Sequence, residues 1–179
     1  GGCASLIYLT IGDISYRLSL SRGGLNSKLI TDMVAKSAAK KPKDEYKEKL
    51  DSMIDDGADW FMHQDTEKII IEKKHRQSLY ADLIRPDKPS NVYIICIHGY
   101  TSSPANMGIY AKKYHELGYN VLLPSLRGHG DSEQDFITMG WNDRLDVIEW
   151  INYIAERHPE SKIILHGVSM GAATTMMAT

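Results

Sequence analysis

The chain has 179 residues, a formal net charge of −2 at pH 7 and an apolar content of 42%. This length and composition provide one hydrophobic core and exclude a disordered chain. The balanced charge, without basic runs interleaved with aromatic residues, excludes nucleic acid as a partner. Because the sequence has no HExxH motif, no CxxC motif and no clustered histidine and carboxylate spacing, it predicts no metal site and no cofactor.

The first residues combine an apolar run with a basic flank. The run, residues 3–11, is too short to span a bilayer, and residues 1–43 carry seven basic side chains against two acidic ones. We interpret this pattern as the remnant of a membrane anchor, with a short helix or strand lying on the domain as the alternative. The first residue is not methionine, so we expect further residues upstream.

Two amphipathic helices and a hairpin are predicted next. Apolar residues recur at helical spacing over residues 25–34 and 46–61. Strand-type residues over 68–72 and 77–84 then predict a hairpin through the polar turn at residues 73–76. We assign both helical stripes to packing rather than to a ligand site.

A strand, a helix and a second strand follow the hairpin. Residues 91–97 are a continuous apolar run, and residues 107–117 have helical spacing with Gly118 as a C-terminal cap. Residues 120–124 then form a short buried strand. This unit implies a right-handed crossover and a parallel sheet.

A glycine-rich loop and a further helix come next. The loop, residues 127–132, fits neither a dinucleotide-binding spacing nor a P-loop spacing. We interpret it as a structural turn in which His129 and Asp131 hold the backbone. The helix after it is marked by apolar residues at helical spacing: Trp141, Leu145, Ile148, Ile151 and Ala155.

The most informative stretch is the GVSMG sequence at residues 167–171, a GxSxG motif between the apolar strand at 162–166 and a helix-compatible run. A sharp strand-to-helix turn strains the backbone at its central residue, and the flanking glycines avoid collisions with neighbouring backbone. Such a turn exposes the hydroxyl beside the N–H groups of the first helical turn, which can stabilise an oxyanion. We therefore predict that Ser169 is a nucleophile. The alternative is a plain glycine and serine turn.

A second signal lies upstream of this motif. The strand at 91–97 ends in the HGY sequence at residues 98–100. In the fold built around such a turn, the loop after this strand supplies the second oxyanion donor. With both loops in the expected order, we favour a hydrolase over a structural turn. The alternating strands and helices predict an α/β, doubly wound architecture.

The HGY loop, the LRGHGDS loop, the MGW sequence before a helix and the HGVSMGAA turn together resemble the α/β-hydrolase superfamily. The match is closest to bacterial cell-surface or membrane-anchored serine hydrolases, which are similar to serine aminopeptidases and lysophospholipases. It covers residues 60–179, which we assign to the N-terminal portion of an α/β-hydrolase domain with a mostly parallel sheet. Residues 1–59 are then an N-terminal extension. The resemblance implies that the backbone N–H groups of Tyr100 and Met170 form the oxyanion hole.

The resemblance also implies where the rest of the catalytic triad lies. In such hydrolases the acid and the base follow the serine in chain order. We therefore expect both beyond residue 179, and we expect residues 1–179 alone to be inactive and poorly folded. His98, His129 and His166 are the alternative bases, but the sequence pairs none of them with a group that would orient it. The competing function is a non-catalytic binding or interaction protein on the same fold.

The implied substrates are small-molecule esters, lipids or peptides, cleaved through an acyl-enzyme without a cofactor. The resemblance does not select among them, because in this fold the pocket is largely built after the nucleophile helix. It implies a membrane-associated protein at the cell surface. The basic flank of the N-terminal run instead favours a cytoplasmic domain.

Overall fold

The computed structural model describes residues 19–21, 32, 45–72, 78–132 and 136–179. Three features predicted from the sequence lie outside these residues: the apolar run at 3–11, the turn at 73–76, and the helix at 25–34 apart from Asp32, which is helical. Within the described ranges, no helix has the length and apolar character needed to cross a membrane.

Strands and helices alternate along the described chain after an initial helix and hairpin. In chain order the elements are α1 (Glu45–Met62), β1 (Glu67–Ile71), β2 (Leu79–Ile84), β3 (Val92–Ile97), a 3₁₀ turn (Pro104–Met107), α2 (Gly108–Glu116), β4 (Asn120–Pro124), α3 (Asp143–Arg157), β5 (Lys162–Gly167) and α4 (Met170–Ala178). Each strand and helix predicted within the described ranges is present, with small displacements of its ends.

The described strands form one sheet in the order β1-β2-β4-β3-β5. β1 and β2 pair antiparallel, from Glu67 opposite Leu83 to Ile71 opposite Leu79, which confirms the predicted hairpin. β3 pairs in parallel with β4 and with β5, as strand–helix–strand crossovers require. β2 pairs antiparallel with β4. The sheet is therefore mixed. Its parallel part includes β3 and β5, which the HGY loop and the Ser169 turn follow.

β3 lies at the centre of the core because helices cover both of its faces. Its side chains alternate between two apolar clusters, as the twofold period of a strand requires. Ile95 and Ile97 belong to the cluster that includes Trp150 of α3. Ile94 and Cys96 belong to the cluster formed with α1 and α2. All four β3 side chains are fully buried, so the carboxyl end of this strand is held firmly where the next loop begins.

The face that α3 turns to the core includes only part of its apolar residues. Trp141 precedes the helix and is 64% exposed, and Leu145 and Ile148 are exposed as well. Aspartates occupy part of this buried face, which the apolar residues that predicted the helix do not reveal, because a hydrophobic pattern assigns aspartate to the surface. The buried residues of α3 are Asp143, Asp146, Val147, Trp150 and Ile154.

α1 lies directly against the start of α2. A Cβ on Gly57 would lie 2.2 Å from the backbone N of Ile109, and a Cβ on Gly108 would lie 2.0 Å from the carbonyl O of Gly57. Since no side chain fits in these spaces, the two glycines let the helix backbones touch. This contact fixes α1 on the body of the domain. α1 runs through residues 59 and 60, between which we predict the boundary of the N-terminal extension and the hydrolase domain. That boundary stays a prediction.

Candidate active site

Ser169 occupies the turn between β5 and α4. Its backbone φ of 55° and ψ of −117° lie in a region that residues other than glycine rarely adopt. The residue is exposed, so its hydroxyl stands clear of the sheet. The strained strand-to-helix turn predicted from the sequence is thereby confirmed.

The glycines on either side of Ser169 permit three backbone segments to meet. A Cβ on Gly167 would lie 2.2 Å from the carbonyl O of Gly171, and a Cβ on Gly171 would lie 2.1 Å from the carbonyl O of Ile97. A side chain at either position would therefore push α4 away from the ends of β3 and β5. The glycine pattern in the sequence thus has a direct steric cause.

The loop after β3 lies against the same turn. A Cβ on Gly99 would lie 3.1 Å from the carbonyl O of Val168 and 3.2 Å from the Cβ of Ser169. Because Gly99 has no side chain, the loop can approach this closely, and the next residue, Tyr100, lines one cavity together with Ser169. The structure therefore brings together the two loops that the sequence analysis paired.

Two backbone N–H groups at this junction have no acceptor among the described residues. Among the described residues, no acceptor takes the N–H of Tyr100 or the N–H of Met170, although Met170 is buried. Buried N–H groups without an acceptor are rare in folded proteins. Met170 is also the first residue of α4, where the helix dipole adds partial positive charge. The catalytic roles of Ser169, Tyr100 and Met170 stay predictions.

Thr101, in the loop after β3, has a strained backbone conformation. Its φ is 56°, which is unusual for a β-branched residue. The Thr101 N–H donates to Nε2 of His129 at 3.1 Å, and the Nδ1–H of His129 donates to the carbonyl of Arg127 at 2.8 Å. His129 therefore holds the backbone, as predicted. Asp131, for which the same role was predicted, is instead exposed and pairs with Lys68 at 3.1 Å.

His98 is fully buried beneath the same loop, and both of its ring nitrogens are occupied. The N–H of Leu126 donates to Nε2 at 3.1 Å, so Nδ1 carries the proton and donates to the carbonyl of Gly99 at 2.9 Å. Burial, together with repulsion from His129, lowers the pKa of His98 to about 4. A neutral imidazole with both nitrogens engaged cannot take a proton from a serine. This geometry agrees with a loop-shaping role for His98.

His166 lies in β5, among tyrosines of α2. Its Nδ1 is 3.0 Å from the hydroxyl of Tyr114, and the ring of Tyr110 meets it edge-on at 4.5 Å between ring centroids. Burial lowers the pKa of His166. Its hydrogen bond is to α2 and not to Ser169, so this histidine helps to pack α2 against the sheet.

A cavity of about 290 Å³ opens beside Ser169. Within the described ranges, no group of three or more histidine, cysteine or carboxylate side chains is placed to hold a metal ion. The described part of the cavity wall includes no charged side chain. Its apolar side is formed by residues of α1, of the segment around the start of α2 and of the Ser169 turn: Ile54, Met107, Ile109, Tyr110 and Val168.

The sequence model of the family described as "Serine aminopeptidase, S33" matches residues 88–179, just over half of the chain. The chain belongs to this family. The match runs from the loop before β3 to the end of α4, so it includes both loops that meet at Ser169. The α/β-hydrolase superfamily indicated by the motifs is thereby confirmed.

Two curated relatives are similar to this family member over part of their length. A thermostable monoacylglycerol lipase from Bacillus sp. (strain H-257) is 31% identical over 90 residues, which is 48% of this chain and 34% of the lipase. An uncharacterized protein, YqkD, from Bacillus subtilis (strain 168) is 29% identical over 118 residues, which is 65% of this chain and 38% of that protein. The chain thus spans about a third of the length of the curated relatives it matches.

Solved structures show the same fold. The esterase Pf2001 of Pyrococcus furiosus has 28% sequence identity and a TM-score of 0.59, over 66% of this chain and 46% of the esterase chain. Est1E of Butyrivibrio proteoclasticus, solved with ferulic acid bound, has 24% identity and a TM-score of 0.55, over 62% of this chain and 46% of that chain. At 24% identity, the similarity to Est1E shows a common fold and nothing more. The predicted α/β-hydrolase fold is confirmed over the part that the structure describes.

An ion pair that the sequence analysis missed joins the loop after β4 to α3. The Nε and Nη2 groups of Arg127 donate to the two carboxylate oxygens of Asp146 at 2.7 and 2.8 Å. Asp143, fully buried, accepts the N–H groups of Arg127 and Gly140 and the hydroxyl of Thr138 at 3.3, 2.9 and 2.6 Å. The sequence did carry a signal for this pair. Asp143 and Asp146 are three residues apart in the first turn of a predicted helix, and the loop that contains Arg127 precedes that helix.

Proposed function

We propose that the protein is a serine hydrolase of the esterase or lipase type, with Ser169 as its nucleophile. The observation that carries this proposal is the strained Ser169 turn, beside which lie two backbone N–H groups that lack an acceptor among the described residues. The family, together with the names of the similar lipase and esterase, supports the reaction class.

In the proposed mechanism, Ser169 gives its hydroxyl proton to a general base while its Oγ forms a bond to the ester carbonyl carbon. The carbonyl oxygen takes the negative charge, and the N–H groups of Tyr100 and Met170 stabilise it. When the tetrahedral intermediate collapses, the bond to the alcohol oxygen breaks and the alcohol leaves with the proton held by the base. Water then attacks the acyl-enzyme by the same steps and releases a carboxylic acid.

The base in this proposal is a histidine outside the described residues. His98 and His129 each use both ring nitrogens in hydrogen bonds to the backbone, so neither can accept the serine proton. In this fold the acid and the histidine of the triad follow the serine in the chain. We therefore assign both to the part of the whole protein that follows residue 179.

The described side of the cavity is apolar or uncharged, which suits the apolar part of an ester. The names of the similar lipase and esterase support the same substrate class.

A fluorophosphonate probe tests the nucleophile directly. In the full-length protein, we expect the probe to label Ser169 and to abolish ester hydrolysis, because only an activated serine attacks the phosphorus. Ser169→Ala should abolish labelling, whereas Ser161→Ala, at the opposite end of β5, should leave it intact. Labelling that survives Ser169→Ala would contradict the assignment. A folded wild-type protein that is neither labelled nor active would favour the non-catalytic interaction protein.

We also propose that the apolar run at residues 3–11 belongs to a membrane anchor. This run lies outside the described residues. The basic residues that follow it would contact anionic lipid headgroups. Full-length protein with its natural start should sediment with membranes and be released by detergent. Complete recovery in the soluble fraction would contradict the anchor proposal. Protease treatment of intact cells would distinguish a cell-surface location from a cytoplasmic one.

A further inference from the structure

The cavity beside Ser169 has one wall that lies outside the family match. The match begins at residue 88, whereas Ile54 belongs to α1. Gly57 of the same helix is in backbone contact with the start of α2. Residues three apart lie on one face of a helix, so the contact at Gly57 directs Ile54 towards the cavity. The position of this wall therefore depends on a helix that the family match does not include.

The chemistry of the wall decides which part of an ester it can bind. The leaving alcohol must face the imidazole that protonates it. That imidazole is assigned to the part of the protein after residue 179, whereas the described wall comes from earlier segments and is apolar at Ile54, Met107 and Ile109. The acyl chain receives no proton during the reaction. It is therefore the substituent of the scissile carbonyl that fits this cavity.

The described part of the cavity has room for a chain of limited length. Its volume of about 290 Å³ lies just below the range for ligand pockets, about 300 to 1,000 Å³. At about 30 Å³ for each water-sized group, such a volume takes roughly ten groups. This favours a medium-length acyl chain over a long one.

We infer that α1 forms the acyl-binding wall of the site and that Ile54 sets the length of the acyl chain that the protein accepts. The inference rests on the proposed serine hydrolase function and specifies its substrate class, esters of medium-chain carboxylic acids. Ile54 acts here as a specificity-determining residue, because it contacts the chain and not the reacting atoms.

The test is the acyl chain-length profile of the full-length protein, measured with p-nitrophenyl esters from acetyl to palmitoyl. In the wild-type protein, kcat/KM should rise about fourfold for each methylene that enters the cavity and fall once the cavity is full. Ile54→Ala should move the optimum to chains longer by roughly two carbons, because it removes apolar volume from the wall. Ile54→Phe should move the optimum to shorter chains.

Two further variants control this test. Met53 is the neighbouring residue on α1, is 47% exposed and does not line the cavity, so Met53→Ala should leave the optimum where it is. Ile109→Ala enlarges the cavity from α2 and should move the optimum in the same direction as Ile54→Ala. This variant keeps the test decisive if Ile54→Phe does not fold, which thermal unfolding would reveal.

The outcomes separate this inference from the function on which it rests. If the wild-type protein and the Ile54 variants are active with one common optimum, the inference is wrong while the proposed function stands. The same holds if Met53→Ala moves the optimum as far as Ile54→Ala does. If the folded wild-type protein cleaves none of the esters and a fluorophosphonate does not label it, the proposed function fails and the inference fails with it.

Discussion

Nε2 of His129 accepts the backbone N–H of Thr101 at 3.1 Å, and this bond joins the loop after β4 to the loop after β3. Thr101 keeps a strained φ of 56° next to Tyr100, whose N–H we assign to the oxyanion. The placement of that N–H therefore depends on an imidazole 28 residues along the chain from Thr101.

We expect His129→Ala to lower kcat for ester hydrolysis about tenfold, because it leaves the Thr101 N–H without its acceptor, at a cost of about 1 to 3 kcal/mol. KM should change less, since an oxyanion donor acts mainly in the transition state. Steady-state kinetics of the full-length protein measures both. His63→Ala, which removes an exposed imidazole of the turn after α1, serves as the control. An unchanged kcat in His129→Ala would show that the loop keeps its shape without this bond.

The parts of the site that the sequence predicted are encoded in short stretches. Gly167 and Gly171 flank Ser169 at fixed offsets, and their steric reason is local to one turn. The same holds for Gly99, which follows His98 at the end of a continuous apolar strand. Such features need only the neighbouring residues and the known shape of a strand-to-helix turn.

The parts that the sequence did not predict depend on contacts between distant segments. Asp143 and Asp146 are buried because the loop containing Arg127 packs on them, and a pattern of apolar residues cannot reveal such a partner. Ile54 reaches the cavity because Gly57 touches α2, and neither residue carries a signal for that approach. Long-range packing of this kind becomes visible only in the structure.

The Arg127–Asp146 pair should make a large contribution to stability. The side chains are only 20% and 8% exposed, so Asp146→Ala leaves a partly buried guanidinium without its carboxylate. We expect a loss of about 3 kcal/mol in the free energy of unfolding, measured by urea titration.

Adding Arg127→Met to Asp146→Ala should recover part of this loss, because it removes the unpaired charge. Glu116→Ala, which breaks the exposed pair between Lys113 and Glu116, should cost much less. One contradicting result is that Asp146→Ala and Glu116→Ala lower the free energy of unfolding equally. The other is that adding Arg127→Met to Asp146→Ala recovers none of it. Either result would contradict the role assigned to the Arg127–Asp146 pair.

The buried imidazole of His98 should make stability depend on pH. The pKa of His98 is lowered to about 4 in the folded protein, mainly by burial, whereas an unfolded chain has a histidine pKa of about 6.5. Between these values the unfolded state binds a proton that the folded state does not bind. The stabilisation is therefore complete above about pH 6.5 and is lost as the pH falls towards about 4, by up to about 3 kcal/mol.

Urea titrations between about pH 7 and about pH 4.5 measure this effect. The free energy of unfolding should fall more steeply in the wild-type protein than in His98→Asn, which lacks the imidazole. His166 has a pKa lowered by burial and acts in the same direction, but it is present in both proteins and cancels in the comparison. Equal slopes would show that His98 is as easily protonated in the folded protein as in the unfolded chain.

Residues 1–179 produced alone should self-associate and lack esterase activity, for two separate reasons. β5 lies at an edge of the described sheet with Ile164 48% exposed, and Met176 on α4 is 73% exposed, which favours aggregation. His98 and His129 are both engaged with the backbone, so Ser169 would have only the weak catalysis of the oxyanion donors. Light scattering and p-nitrophenyl butyrate hydrolysis measure the two effects. Ile164→Lys should reduce self-association without restoring activity. A monomer with cooperative unfolding, whose turnover matches that of the full-length protein and disappears in Ser169→Ala, would instead assign the general base to a histidine within these residues.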